Sequence, residues 1–137
     1  PVILPARAAY DRMAAQGRGC ILMIASDAGK LATPGESAIG AAMAGIAMFG
    51  RAMAIEARRD GIRVNCLTPS IVRGTPLYDR LMADPFAAKL FAKAETMAGL
   101  GVVDPQDLAE LAVFLASPAA ARITGQTISV TGGISAI

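Results

Sequence analysis

The sequence predicts an α/β fold, three parallel strands with flanking helices, and three observations predict it. Short strand-like runs stand at 20–25, 62–67 and 127–130, and the apolar first one is too short for a helix. The first run is continuous rather than alternating, the pattern of a strand covered on both faces. Long stretches of helical composition separate the runs. Strands separated in this way imply parallel pairing, with the helices packed on the sheet.

Residues 6–16 come first, as a helix: Arg7, Asp11 and Arg12 fall on one side, Ala8, Ala9 and Met13 among the rest, and Gly17-Arg18-Gly19 stops it. The strand 20–25 gives way to a polar loop over 26–34. A long helix spans 37–58 and closes on Arg58-Arg59, where cations suit the negative end of the helix dipole. Asp60-Gly61 ends it. The strand 62–67 is halted by Thr68-Pro69. Residues 71–100 are looser, broken by Pro76 and Pro85, with helical patches at 77–82 and 86–97. A further helix covers 106–116: Pro105 opens its first turn, Asp104 is placed to cap it and Pro118 bars its continuation. The strand 127–130 runs into Gly132-Gly133. No repeat or low-complexity tract interrupts this order. Three strands make a thin sheet. The run 20–25, apolar and free of charge and proline, is expected at an edge, where it needs a further strand or a partner chain.

Composition excludes several classes. Of 137 residues, 54% are hydrophobic and 18% charged, unlike a disordered chain. A net charge of +2 gives no footprint for nucleic acid. There is no histidine, which removes every histidine-based mechanism and the commonest metal ligand. Cys20 and Cys66 cannot build an all-cysteine zinc site, so no metal is expected. Two thiols without a dense disulfide framework imply a reduced, cytoplasmic setting. The longest uncharged stretch near the middle, 37–50, has 14 residues, short of the roughly 20 that span a bilayer. The start, Pro1-Val2-Ile3-Leu4-Pro5, carries no basic leader and no initiator Met, so a processed or longer chain is expected.

A nucleotide-binding turn needs a glycine-rich loop after a strand and before a helix. Gly17-Arg18-Gly19 precedes a strand, Gly35, Gly40 and Gly45 fall at or inside a helix, and Gly132-Gly133 opens none. No dinucleotide phosphate cradle is expected.

Four segments are specific in combination. They are Gly19-Cys20-Ile21-Leu22-Met23-Ile24-Ala25-Ser26-Asp27-Ala28-Gly29; Gly61-Ile62-Arg63-Val64-Asn65 with Pro69; Ile123-Thr124-Gly125-Gln126; and Gly132-Gly133. In this order and spacing they resemble the C-terminal half of a short-chain dehydrogenase/reductase, over nearly the whole chain. The resemblance implies a single partial domain over 1–137, the C-terminal part of a doubly wound parallel (Rossmann-type) sheet. It implies an NAD(P) oxidoreductase family, usually tetrameric. The family's N-terminal glycine motif and its Asn-Asn-Ala-Gly segment have no counterpart here.

The family's catalysis needs a Ser, a Tyr 13 residues later and a Lys four after that. The Tyr passes a proton to or from the substrate oxygen, the Lys lowers its proton affinity and the Ser hydrogen-bonds the oxygen. Ser26 fits the Ser position, but Ile39 and Met43 stand at the other two, and neither moves a proton. Tyr10 is followed four residues on by Ala14, and Tyr78 by Met82, so no shifted pair replaces the motif. Losing a positioned acid–base group costs about 10²–10⁴-fold in rate. On this reading Ser26 is vestigial. After the second strand the family's Pro-Gly has become Pro69-Ser70, and its cofactor-contacting Thr position is Gly74, with Thr75 one residue late. Pro69 and Val72 match positions that line the nicotinamide in relatives. The helix over 37–58 carries Ala38, Ile39, Ala41, Ala42, Met43, Ile46, Ala47, Met48 and Phe49, apolar on more than one side. In the family this helix bundles with its copy in another subunit. Arg58, Arg59 and Arg63 read as a solvated cluster.

These features imply a non-catalytic subunit that binds no cofactor itself. It would support a catalytic partner holding NAD or NADP in a heterotetramer, joined through the helix 37–58 and the strand 127–130. The substrate class by analogy is an alcohol or ketone, with hydroxyacyl or oxoacyl thioesters as the default. The alternatives are an active oxidoreductase whose N-terminal half lies outside this sequence, and a binding module that holds a hydrophobic ligand near Ser26, Ile39 and Met43.

Overall fold

A computed structural model describes residues 2–137. The elements follow the expected order: α1 (Ile3–Gln16), β1 (Gly19–Ile24), α2 (Ser37–Ala57), β2 (Ile62–Pro69), α3 (Pro76–Ala83), α4 (Pro85–Met97), α5 (Pro105–Ala116) and β3 (Thr127–Val130). Short 3₁₀ turns follow β1, α2 and α5, at Asp27–Gly29, Arg58–Asp60 and Pro118–Ala120.

Helix α1 starts three residues earlier than expected, since Pro5 falls within its first turn, where a missing N–H costs no hydrogen bond. Strand β2 includes Thr68 and Pro69 rather than stopping before them. Pro69 takes the last position, in register with Val130. The looser region 71–100 holds two full helices, each with proline in its first turn and a capping side chain, Thr75 for α3 and Asp84 for α4. Asp104 and Asp107 form a reciprocal capping box on α5.

The strands form one parallel sheet in the order β1-β2-β3, so β1 lies at an edge as expected. Gly19 pairs with Ile62 and Ile24 with Leu67; Cys66 pairs with Thr127. Both faces are covered. On one, α1 and α2 pack Ala6, Met53, Ala54 and Ala57 against Ile21, Met23, Val64 and Cys66. On the other, Leu115 of α5 packs with Leu67 and Ala120, flanked by Leu22, Ile123 and Ile128. Cys20 and Cys66 are both free thiols.

Only one face of α2 is buried, through Ala47, Gly50, Met53, Ala54 and Ala57. Its outer face leaves Met48 60% and Ile55 61% exposed. The stretch Ser37–Asp60 is the one helix among the described residues long and apolar enough to cross a membrane. Its buried face nonetheless belongs to the sheet's own core.

One arginine departs from the solvated cluster. Arg58 and Arg59 are exposed, but Arg63 is half-buried and donates to the carbonyls of Leu115 at 2.6 Å, Ser117 at 3.4 Å and Ile123 at 3.5 Å. Lying on β2 beside the end of α5, it partners the Leu115 carbonyl, which the helix terminus leaves without an amide donor.

Candidate functional site

The C-terminal ends of parallel strands, where open α/β sheets hold ligands, carry a cavity of about 510 Å³. Its floor comes from Ala25, Ser26 and Asp27 after β1 and from Ser70 after β2. Glu36, Ile39 and Met43 line it from the start of α2. Leu77 and Leu81 of α3 and Leu90, Phe91, Lys93 and Met97 of α4 line it from the facing side. The size and the mainly apolar walls fit a small-molecule site.

Ser26 caps the turn 27–29: its Oγ accepts from Ala28 N at 3.2 Å, and its own hydroxyl proton has no protein acceptor among the described residues. This turn sits directly on α2. A Cβ added at Gly40 would lie 2.8 Å from the Ala28 carbonyl oxygen, so only glycine permits the approach. That contact brings Ile39 and Met43, on one face of the helix, to the same cleft as Ser26. The three positions read from the sequence therefore share one site.

The other two do not join it. Pro69 is buried at the end of β2, paired with Val130, and Val72 forms a parallel bridge with Val103; of this segment only Ser70 lines the cleft. Neither chain tyrosine replaces the absent phenol. Tyr10 donates to Asp60, and Tyr78 donates to Glu95 at 2.9 Å. Lys30 donates to Ser129 rather than into the cavity.

The three charged residues of the cleft escaped the sequence reading: Asp27, Glu36 and Lys93. Glu36 stands three residues before Ile39, so helical spacing was the signal that could have found it. Burial holds its carboxyl above the usual glutamate range. Asp27 is 3% exposed, and its two oxygens accept from Ser129, at 3.0 Å, and from Ser135.

The family model described as enoyl-(acyl carrier protein) reductase matches residues 2–135. An oxidoreductase of the short-chain dehydrogenase/reductase family from Burkholderia thailandensis superposes with a TM-score of 0.75 at 34% identity, covering 89% of this chain and 46% of that one. This chain belongs to the short-chain dehydrogenase/reductase family. Among the relatives of this short-chain dehydrogenase/reductase is the 3-oxoacyl-[acyl-carrier-protein] reductase of Vibrio harveyi, 36% identical over 98% of this chain and 53% of the relative. Another, from Xanthobacter autotrophicus, is named an inactive 2-(S)-hydroxypropyl-CoM dehydrogenase; it is 35% identical over 98% of this chain and 59% of its own length. The chain spans about half the length of the curated relatives it matches.

The family implies a nicotinamide dinucleotide. Of the two positions expected to line it, Pro69 pairs with Val130 and Val72 bridges to Val103, and no glycine-rich turn joins a strand to a helix N-terminus among the described residues.

Proposed function

We propose that this short-chain dehydrogenase/reductase chain is a non-catalytic subunit of an NAD(P)-dependent alcohol or ketone oxidoreductase, with hydroxyacyl or oxoacyl thioesters as the substrate class. One observation carries the reading. Ser26, Ile39 and Met43 line a single cleft, and the two positions that need a phenol and an ammonium hold an aliphatic side chain and a thioether. The Ser26 hydroxyl can orient an oxygen, but nothing at those two positions delivers the proton. The inactive designation of the Xanthobacter relative supports the same conclusion.

The dinucleotide, NAD or NADP, then belongs to a catalytic partner in a cytoplasmic heterotetramer. The exposed Met48 and Ile55 of α2 support docking through this helix, as does a groove of about 430 Å³ between α1 and α2, lined by Tyr10, Phe49 and Met53. Strand β3 supplies the second contact. The test is a hydride-transfer assay on the isolated chain and on the native particle, whose subunits are identified by mass. Turnover by the particle and none by the chain is expected. Turnover by the chain alone at the rate of ordinary relatives overturns the reading.

Glu36 favours a second reading, an active oxidoreductase. Its carboxyl lines the cleft and holds its proton to higher pH than usual, so it is a candidate proton donor to an oxygen on Ser26. If isolated chain turns over, Glu36→Gln abolishes that activity on this reading and leaves it intact otherwise.

A further inference from the structure

The residue after Ser26 has a role the family motif does not supply. Asp27 is a buried carboxylate that lines the cleft, yet both oxygens are committed away from it, to the hydroxyls of Ser129 and Ser135. Ser129 in turn accepts from the Lys30 ammonium. Both charges of this small network therefore have partners, as buried charge requires.

Ser135 lies on the segment 131–137 that follows β3. Gly132 and Gly133, with φ of +66° and +91°, turn the chain back after the strand. Leu100 N donates to the Gly132 carbonyl at 2.9 Å, and the buried Thr131 donates through Oγ1 to the Ser135 carbonyl at 3.4 Å. The returning segment brings Ile134 into the cavity wall. Between the double-glycine turn and the end of the described chain, two side-chain hydrogen bonds tie the segment to the body of the fold: Ser135 donates to Asp27, and Ser129 Oγ of β3 donates to the Ile137 carbonyl at 3.3 Å.

We propose that Asp27 is a positioning residue for the cleft. Through Ser135 it straps the segment 131–137 across one side of the cavity, and so makes Ile134 the stop that sets how long an apolar ligand can be. This goes beyond the non-catalytic reading and is independent of it, since a cavity stop acts whether or not the chain transfers hydride. Removing the Ser135 hydroxyl releases the tether nearest Ile134, leaves the Ser129–Ile137 bond in place, and changes no residue that lines the cavity.

The test uses the full chain and a fluorescent anilinonaphthalene probe displaced by hexanol, octanol or dodecanol. In Ser135→Ala the amides of 131–137 are expected to exchange faster with deuterium. Hexanol should lose affinity with the Ile134 contact while dodecanol, no longer stopped, does not. The dodecanol-to-hexanol affinity ratio should rise about fivefold, the order of one partly lost aliphatic contact. Ser135→Thr, which keeps the hydroxyl, restores both readouts. A merely structural role for the bond would weaken all three alcohols by a common factor, and that result overturns the proposal. Unchanged exchange over 131–137 overturns it too, as does failure of the unaltered chain to bind the probe or any alcohol. None of these outcomes bears on hydride transfer, so the functional reading stands or falls separately.

Discussion

The guanidinium of Arg63 donates to the carbonyl oxygen of Leu115 at 2.6 Å, joining the middle of the sheet to the last turn of α5. Leu115 is fully buried, and its carbonyl has no amide partner further along the helix. Arg63→Ala is expected to lower stability by about 1–3 kcal/mol, the range for leaving one buried acceptor, the Leu115 carbonyl, without a strong donor. Urea denaturation with an unchanged slope checks it. Arg63→Lys should recover only part of the loss, because one ammonium cannot reach the carbonyls of Leu115, Ser117 and Ile123 as the planar fork does.

Two glycines of the same helix should respond with opposite signs. Gly45 has nothing within 4 Å of an added Cβ, so Gly45→Ala should stabilise by about 0.5–1 kcal/mol through helix propensity. At Gly40 the added carbon meets the Ala28 carbonyl at 2.8 Å, and the clash outweighs that gain. Gly40→Ala is expected to cost about 1–3 kcal/mol. Thermal unfolding of the two variants decides it; stabilisation by both would contradict the close seat of the turn on α2.

The two thiols should separate by reactivity. Burial pushes the Cys66 thiol up, and its side chain is enclosed by the core. Cys20 is half-buried. A thiol-specific reagent at neutral pH should label Cys20 in the native chain, and Cys66 only after denaturant is added. Peptide mapping of the labelled chain reads this directly.

Glu36 gives a pH signature. Burial raises its folded pKa, so the folded state holds the proton more tightly than the unfolded chain does. The favourable contribution is complete below the ordinary glutamate pKa and fades as pH climbs through the raised value. Glu36→Gln should remove this slope from the acid side of the stability profile while leaving the neutral-pH fold intact. Chemical denaturation across that range, compared with the unaltered chain, is the measurement.

Much of this architecture was legible in the residues themselves. The continuous apolar run at 20–25, the Asp104 cap before Pro105 and the edge place of β1 all followed from local chemistry and strand spacing. The meeting of Ser26, Ile39 and Met43 was legible because their separations match a strand end and successive helical turns. What escaped depends on contacts between residues far apart in the chain. Arg63 looks like one of three surface arginines until α5 is placed over β2. Pro69 and Val72 match nicotinamide-lining positions in relatives, and only the fold shows that one pairs with Val130 and the other bridges to Val103. Asp27 looks like a turn residue until Ser129 and Ser135 arrive from the other end of the chain. Periodicity located the α3 and α4 patches, but it carries no information on which cavity a mobile-looking, proline-broken region will wall.

The parallel order β1-β2-β3 also has a kinetic corollary. No two neighbouring strands are joined by a hairpin, so no sheet contact can form by local zippering. Each pairing waits for a helix-length loop to close, and β2 acquires its second neighbour only after the distant residues 127–130 arrive. During synthesis the middle of the sheet would leave the ribosome with one flank bare, making a nascent chain of this design a natural client for chaperones.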